Sequence, residues 1–170
     1  MSRSLYLMLL ALFGLLFAAS LPLAARNGVY FSPHGGATAA IVAEIGRAKK
    51  DLRVAAYSFT SEKIALALIA AKARGVDVQV ILDDGSAKDK RSQFKQVQAA
   101  GVLVYLDSAH AIMHNKVIIV DGSTLLTGSF NFSEAAEKSN AENLLILRGR
   151  KLASAYGQDW TNHLKHSFAP

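Results

Sequence analysis

Two apolar, β-branched runs separated by a stretch of helical periodicity limit the folds open to this chain more than any other feature. Leu52 to Phe59 alternates and then turns, which is the pattern of a strand. Ser61 then opens a helix through Arg74, with Ile64, Leu66, Leu68 and Ile69 facing inward and Gly75 as its stop. Val76 to Leu82 is strand again. Strand, a helix of about four turns and strand make a βαβ unit. The two strands are therefore expected to lie parallel in one sheet.

The flanking sequence extends that sheet. Gly28 to Phe31 reads as a short strand and Ala37 to Lys50 as a helix that buries Ile41, Ile45 and Ala48. Beyond the βαβ unit, Asp83 to Ser92 is a polar connection, Gln93 to Ala100 a helix and Val102 to Leu106 a strand. Met113 to Val120 and Thr124 to Phe130 flank Asp121-Gly122, a hairpin turn signal. Ser133 caps a short helix to Lys138, Asn143 to Leu147 is a last strand, and Arg150 to Lys165 closes the chain as a helix carrying Trp160. With no internal repeat or low-complexity linker, residues 26–170 are expected to form one α/β domain, a mixed β-sheet flanked by helices on both faces.

Residues 1–25 read as an address. Arg3 precedes an uncharged run from Leu5 to Ala25 that ends in small residues, the pattern of a signal peptide. The run is also long enough to serve as an N-terminal membrane anchor. In a bacterial host either reading places the domain in the periplasm or outside the cell. The chain has no cysteine, which excludes disulfides, a thiolate nucleophile and Cys-ligated zinc. The net charge of +6 suits a polyanionic partner, nucleic acid or acidic lipid.

The chemistry-bearing block is His114-Asn115-Lys116, the apolar run Val117 to Val120, Asp121, and then Gly128-Ser129-Phe130-Asn131. Residues two apart on a strand share a face, so His114 and Lys116 point one way and Ser129 and Asn131 return beside them. The apolar run marks a buried central strand and a rigid platform. A phosphodiester in transition needs fixed donors for its non-bridging oxygens, and Lys116, Ser129 and Asn131 can supply them. Imidazole can act as a nucleophile that forms a covalent intermediate, and imidazole can also protonate a leaving oxygen near neutral pH. A carboxylate should orient the imidazole, and Asp121 and Glu142 are the candidates.

His-x-Lys-x4-Asp followed by Gly-Ser-x-Asn resembles the signature of the phospholipase D superfamily. The similarity extends to Phe31-Ser32-Pro33, Ala56 to Thr60, Gly75 to Val78 and Glu142-Asn143, which look like the small bacterial, single-motif, EDTA-resistant endonucleases of that superfamily. The resemblance implies a phospholipase D/nuclease-like fold and a metal-independent, cofactor-free hydrolase. Its catalytic set would be His114, Lys116, Asp121 and Glu142, with Lys116, Ser129 and Asn131 on the phosphate. His114 would be the phosphohistidine nucleophile in one copy and the leaving-group acid in another. Since the chain carries one motif, a homodimer is implied. The implied substrate is DNA or RNA, cleaved without sequence preference.

Other residues carry blander expectations. Asp121 also sits in an ordinary hairpin dipeptide, so turn and site support both stay open. His34 is expected in a solvated loop, and His110, His163 and His166 on the surface. Asp83-Asp84 is expected to cap a loop, with a Mg²⁺ site as the competing reading. Lys88, Lys90, Arg91 and Lys95 form either a solvated face or one wall of a nucleic-acid groove. The main competing function is a membrane-associated phospholipid phosphodiesterase, phosphatidyl- or cardiolipin-cleaving, held by the N-terminal segment if it is retained. A non-catalytic binding module is the other.

Overall fold

The computed structural model describes residues 26–170, so the expected signal peptide lies outside the described residues. Seven strands form one sheet: β1 (Gly28–Ser32), β2 (Asp51–Ala56), β3 (Asp77–Asp83), β4 (Leu103–Asp107), β5 (Lys116–Val120), β6 (Thr124–Gly128) and β7 (Glu142–Arg148), in the spatial order β1-β7-β6-β5-β2-β3-β4. β2, β3 and β4 are parallel, and β5, β6, β7 and β1 complete the sheet antiparallel. The expected βαβ unit is present, and the wholly apolar run forms the middle strand, every residue of which is buried.

The helices are α1 (Ala37–Arg47), α2 (Glu62–Ala73), α3 (Asp84–Ala87), α4 (Phe94–Ala99), α5 (Glu134–Lys138) and α6 (Arg150–His166). The larger core packs α1, α2, α4 and α5 on one sheet face through Ile41, Ile45, Leu68, Val97 and Ala136. On the other face α6 packs Ala153 and Trp160 against Ala55, Ile81, Val117, Ile119 and Leu125. Trp160 satisfies its indole N–H by donating to the Val54 carbonyl at 2.8 Å, which locks α6 across β2.

Three local expectations are corrected. Leu66 is not inward: 49% of it is exposed, because the buried face of α2 runs through Ile64, Ala65, Leu68 and Ala71. Ser61 precedes α2 but makes no side-chain cap, and its buried hydroxyl has no hydrogen-bond partner. The Asp83–Ser92 connection contains α3, because the Asp83 carboxylate accepts from Ser86 N and closes one helical turn. Ser133 does cap α5, accepting from Ala136 N at 3.2 Å.

A polar cluster fixes the sheet end farthest from His114. Glu44 of α1 lies on the buried face, 3% exposed, and holds Arg148 of β7 through two contacts of 2.6 Å, with Arg47 also in contact. Arg148 reaches Thr124 of β6 at 3.1 Å. Burial alone would raise the pKa of Glu44. The hydrogen bonds and charge of Arg148, joined by Arg47, outweigh it and hold the carboxyl below its ordinary value.

Candidate active site

The segment before β5 is held at Met113 and Asn115, on either side of the free side chain of His114. Met113 is buried and its N–H donates to Asp83 Oδ2 at 2.9 Å. Tyr57 N–H, just past the end of β2, donates to the Asn115 carbonyl at 2.9 Å. The Asn115 amide nitrogen lies 3.2 Å from His163 Nε2 on α6. His114 itself is exposed. Its ring packs on Tyr57 at 4.6 Å between centroids, and it makes no side-chain hydrogen bond among the described residues.

Lys116 lies below the same tyrosine, its ammonium 5.3 Å from the ring centroid. It is 6% exposed, and its one hydrogen bond among the described residues is to the carbonyl of His114, at 2.7 Å. Burial lowers its pKa from the ordinary lysine value, and the charge of Glu142 works against that shift. A buried ammonium facing one neutral carbonyl has donors to spare, since the group carries three. An anionic oxygen is the partner that such a group fits.

The returning strand brings Ser129 and Asn131 beside this pair through a clamp on Asn143. Ser129 N and Phe130 N both donate to the Asn143 carbonyl at 3.1 Å. Asn143 N in turn donates to Ser129 Oγ at 3.0 Å. Gly128 takes φ 151°, and a Cβ there would sit 2.3 Å from the Asn143 carbonyl oxygen, so only glycine permits the approach. Phe130 and Phe132 are each 1% exposed and anchor Asn131 between them. Asn131 Oδ1 is buried and has no hydrogen-bond partner among the described residues. Such an orphan acceptor costs roughly 1–3 kcal/mol.

One predicted site residue stands elsewhere, and another makes no direct bond to His114. Asp121 is beyond the far end of β5, about 16 Å of strand away from Lys116. Asp121 and Gly122 take φ of 50° and 59°, the left-handed pair that a tight hairpin turn between right-twisted strands requires. The Asp121 carboxylate accepts from Lys49 N, Lys50 N and Asp51 N, at 3.2, 2.8 and 3.1 Å from Oδ1. Its inclusion with the catalytic residues is corrected: it ties the hairpin to the start of β2. Glu142 lies at the right end of the sheet, with its charge felt at Lys116. Its carboxylate accepts from Asn140 Nδ2 at 3.2 Å and makes no bond to His114 in the same chain.

The competing cation reading at Asp83-Asp84 has no free oxygen pair to stand on. Asp83 gives one oxygen to Ser86 N and the other to Met113 N, and Asp84 pairs with Lys88 at 2.8 Å. Asp83 thus positions the segment that presents His114, a role its sequence context did not signal. Tyr57 was visible only as a member of the Ala56 to Thr60 stretch. Lys88 and Tyr57 line one cavity of about 600 Å³ with Asp107 and His110. His34 is exposed, as expected. His110, His163 and His166 are not three separate surface side chains, because all three converge on buried Asp107.

A family model described as cardiolipin synthase, PLD-like domain, matches residues 41–164. The chain belongs to the phospholipase D superfamily. A phospholipase D of Rickettsia felis is 43% identical over 132 residues, which are 78% of this chain and 66% of the rickettsial protein, just under two thirds of its length. A mitochondrial cardiolipin hydrolase of Xenopus tropicalis is 36% identical over 67% of this chain and 54% of its own. Among solved structures, the phospholipase D family member Nuc from Salmonella typhimurium superposes with a TM-score of 0.82 at 37% identity. That match covers 85% of this chain and 97% of Nuc. NucT from Helicobacter pylori gives 0.79 at 25% identity, covering 85% and 99%. The mixed sheet with helices on both faces is therefore the phospholipase D-like fold expected from the sequence.

Proposed function

We propose that this phospholipase D-family chain is a metal-independent phosphodiesterase that cleaves nucleic acid without sequence preference, through a phosphohistidine at His114. The observation that carries the reading is Lys116, a buried ammonium with donors to spare directly beneath an exposed, unpaired imidazole. In the first step a ring nitrogen of His114 attacks phosphorus, a P–N bond forms and the P–O bond to the leaving group breaks. The His114 of a second copy gives its proton to the departing oxygen. Water then attacks the phosphohistidine, loses its proton to that second imidazole, and the P–N bond breaks. Lys116, the Ser129 hydroxyl and the Asn131 amide stabilise the charge that develops on the non-bridging oxygens.

The second histidine makes a homodimer part of the proposal. Supporting it, the sheet face that carries α6 is uncovered toward β1. Val29 and Phe31 of β1 are 52% and 65% exposed, and Leu145 of β7, paired with Val29, is 37% exposed. These apolar side chains adjoin Asn143 and Ser129, so two copies joined there would bring their His114 side chains toward each other. The net charge of +6 favours a polyanion, and the resemblance of the motif and its surroundings to the single-motif endonucleases favours nucleic acid over lipid.

A phospholipid phosphodiesterase is the second reading, favoured by the names of the rickettsial and frog relatives. Among the described residues no helix is long and apolar enough to cross a membrane, so this reading gives membrane attachment to residues 1–25. Export by that segment belongs to the same proposal. Incubating the purified protein with plasmid DNA, with RNA and with cardiolipin-containing vesicles separates the two readings. Cleavage of nucleic acid with intact lipid supports the first, and the reverse supports the second.

A further inference from the structure

We infer that Asp107, His110, His163 and His166 form a site for one divalent transition-metal ion, Zn²⁺ by its chemistry, which fastens the closing helix to the segment that presents His114. Asp107 is the last residue of β4, and its side chain is fully buried. His110 lies in the connection that runs on to Met113 and His114, and His163 and His166 are one turn apart on α6. One ligand atom from each of the four lies within 4.8 Å of all the others.

The nitrogen–oxygen contacts are close to those of a coordination shell, and the four ligand atoms together lie within 4.8 Å. His163 Nδ1, His166 Nε2 and His110 Nδ1 stand 2.7, 3.1 and 3.2 Å from Asp107 Oδ2. In a tetrahedral Zn²⁺ site with bonds of about 2.0–2.1 Å, neighbouring ligand atoms are about 3.3 Å apart. The three rings surround the carboxylate symmetrically, with centroids 5.0, 5.2 and 5.4 Å from one another.

Hydrogen bonding alone fills the carboxylate only with a matched set of imidazole protons. His163 Nδ1 and His166 Nε2 address Oδ2, His110 Nδ1 lies 3.2 Å from both oxygens, and Oδ1 also accepts from Ala109 N at 3.0 Å, so four donors crowd one carboxylate. If all three imidazoles were protonated, three cations would face one anion. If all were neutral, each would need its proton on the nitrogen facing the carboxylate. A metal resolves both difficulties, because three deprotonated ring nitrogens and one carboxylate oxygen are a ligand set suited to Zn²⁺.

The surroundings supply the outer support that ligating histidines need. With Nδ1 on the metal, the Nε2 proton of His163 points toward Asp159 Oδ2 at 3.7 Å, and the Asn115 side-chain amide, whose nitrogen lies 3.2 Å away, would turn to accept it through its oxygen. Asn115 stands between His114 and Lys116, so the ion would brace the catalytic segment through one side chain. The end of α6 is held in register by the Leu106–Phe168 bridge, with N–O distances of 2.8 and 3.0 Å. Four protein ligands leave no open position, so the ion serves structure and lies outside the phosphate-binding group.

The test uses the full chain without a polyhistidine tag, stripped with chelator and dialysed against Zn²⁺, with metal content, X-ray absorption and thermal unfolding as readouts. One Zn²⁺ per chain, three imidazoles and one oxygen in the absorption spectrum, and a higher Tm on loading are expected. His110→Gln and His166→Gln, both at exposed positions where the fold tolerates change, should each weaken binding on the order of 100-fold. His34→Gln should leave binding unchanged. Binding below one equivalent, one or two imidazoles in the spectrum, or affinity unaltered in the His110→Gln/His166→Gln double variant overturns the inference. The absorption spectrum of the parent decides the matter even if a variant misfolds.

Discussion

The two ends of the hairpin β5–β6 use one contiguous motif for opposite purposes. At the Asp121 end the carboxylates have found partners in the chain, although Arg148 Nε has none among the described residues. The carboxylate collects three backbone N–H groups, and Arg148 joins Glu44 to Thr124. At the His114 end the polar groups are positioned but left wanting. The imidazole has no side-chain bond, the ammonium has one carbonyl, and the Asn131 oxygen has nothing. Spacing on a strand cannot separate these roles, whereas hydrogen-bond satisfaction can. The carboxylates that hold one end of the fold together are saturated, and the His114 and Lys116 side chains at the other end are not.

Substitutions can break this contrast. The largest effect is expected for His114→Ala, which should lower phosphodiester cleavage by about 10⁴-fold with Tm unchanged. A fall in Tm would show that the ring is structural after all. Lys116→Met should cost about 10²–10³-fold in rate. Its stability should hold or rise, because a desolvated charge gives way to an apolar side chain of similar length. Chemical denaturation measures this directly.

Asp121→Ala should reverse the pattern. Stability should fall by about 2–3 kcal/mol as three backbone donors lose their acceptor, while the rate per folded molecule stays at the parent value. A rate loss exceeding the loss of folded protein would return Asp121 to the site. The smallest effect concerns acid. The Glu44 carboxyl is held below its ordinary pKa in the fold, so its contribution is complete above the unfolded value and disappears as pH falls through the folded one. Glu44→Gln should flatten that part of the stability curve, and urea titrations between neutral and acidic pH check it.

Much of the scaffold was legible because its signals are local. The βαβ unit, the central apolar strand, the Asp-Gly turn and the Ser133 cap all follow from residues within a few positions of each other. What escaped depends on convergence in space. Leu66 has the hydrophobicity of a core residue, but the helix places it on the outer face. Glu44 looks like a solvent residue until Arg148, over 100 positions later, meets it. Asp107 and His163 are 56 positions apart, and only the crossing of α6 over the sheet end joins them. Two histidines three apart on the closing helix were the one visible hint of that cluster. Within the site, the motif singled out His114, Lys116, Ser129 and Asn131, which the structure brings to one end of the sheet. It could not show that Asp83, Tyr57 and Asn143 hold them there.

The most direct test of the division between the two ends is plasmid cleavage in excess EDTA by the parent, His114→Ala and Asp121→Ala, each normalised to its folded fraction. The account predicts equal rates for the parent and Asp121→Ala, and no detectable cleavage by His114→Ala. Cleavage by His114→Ala, or a parent active only after Mg²⁺ is restored, would contradict it.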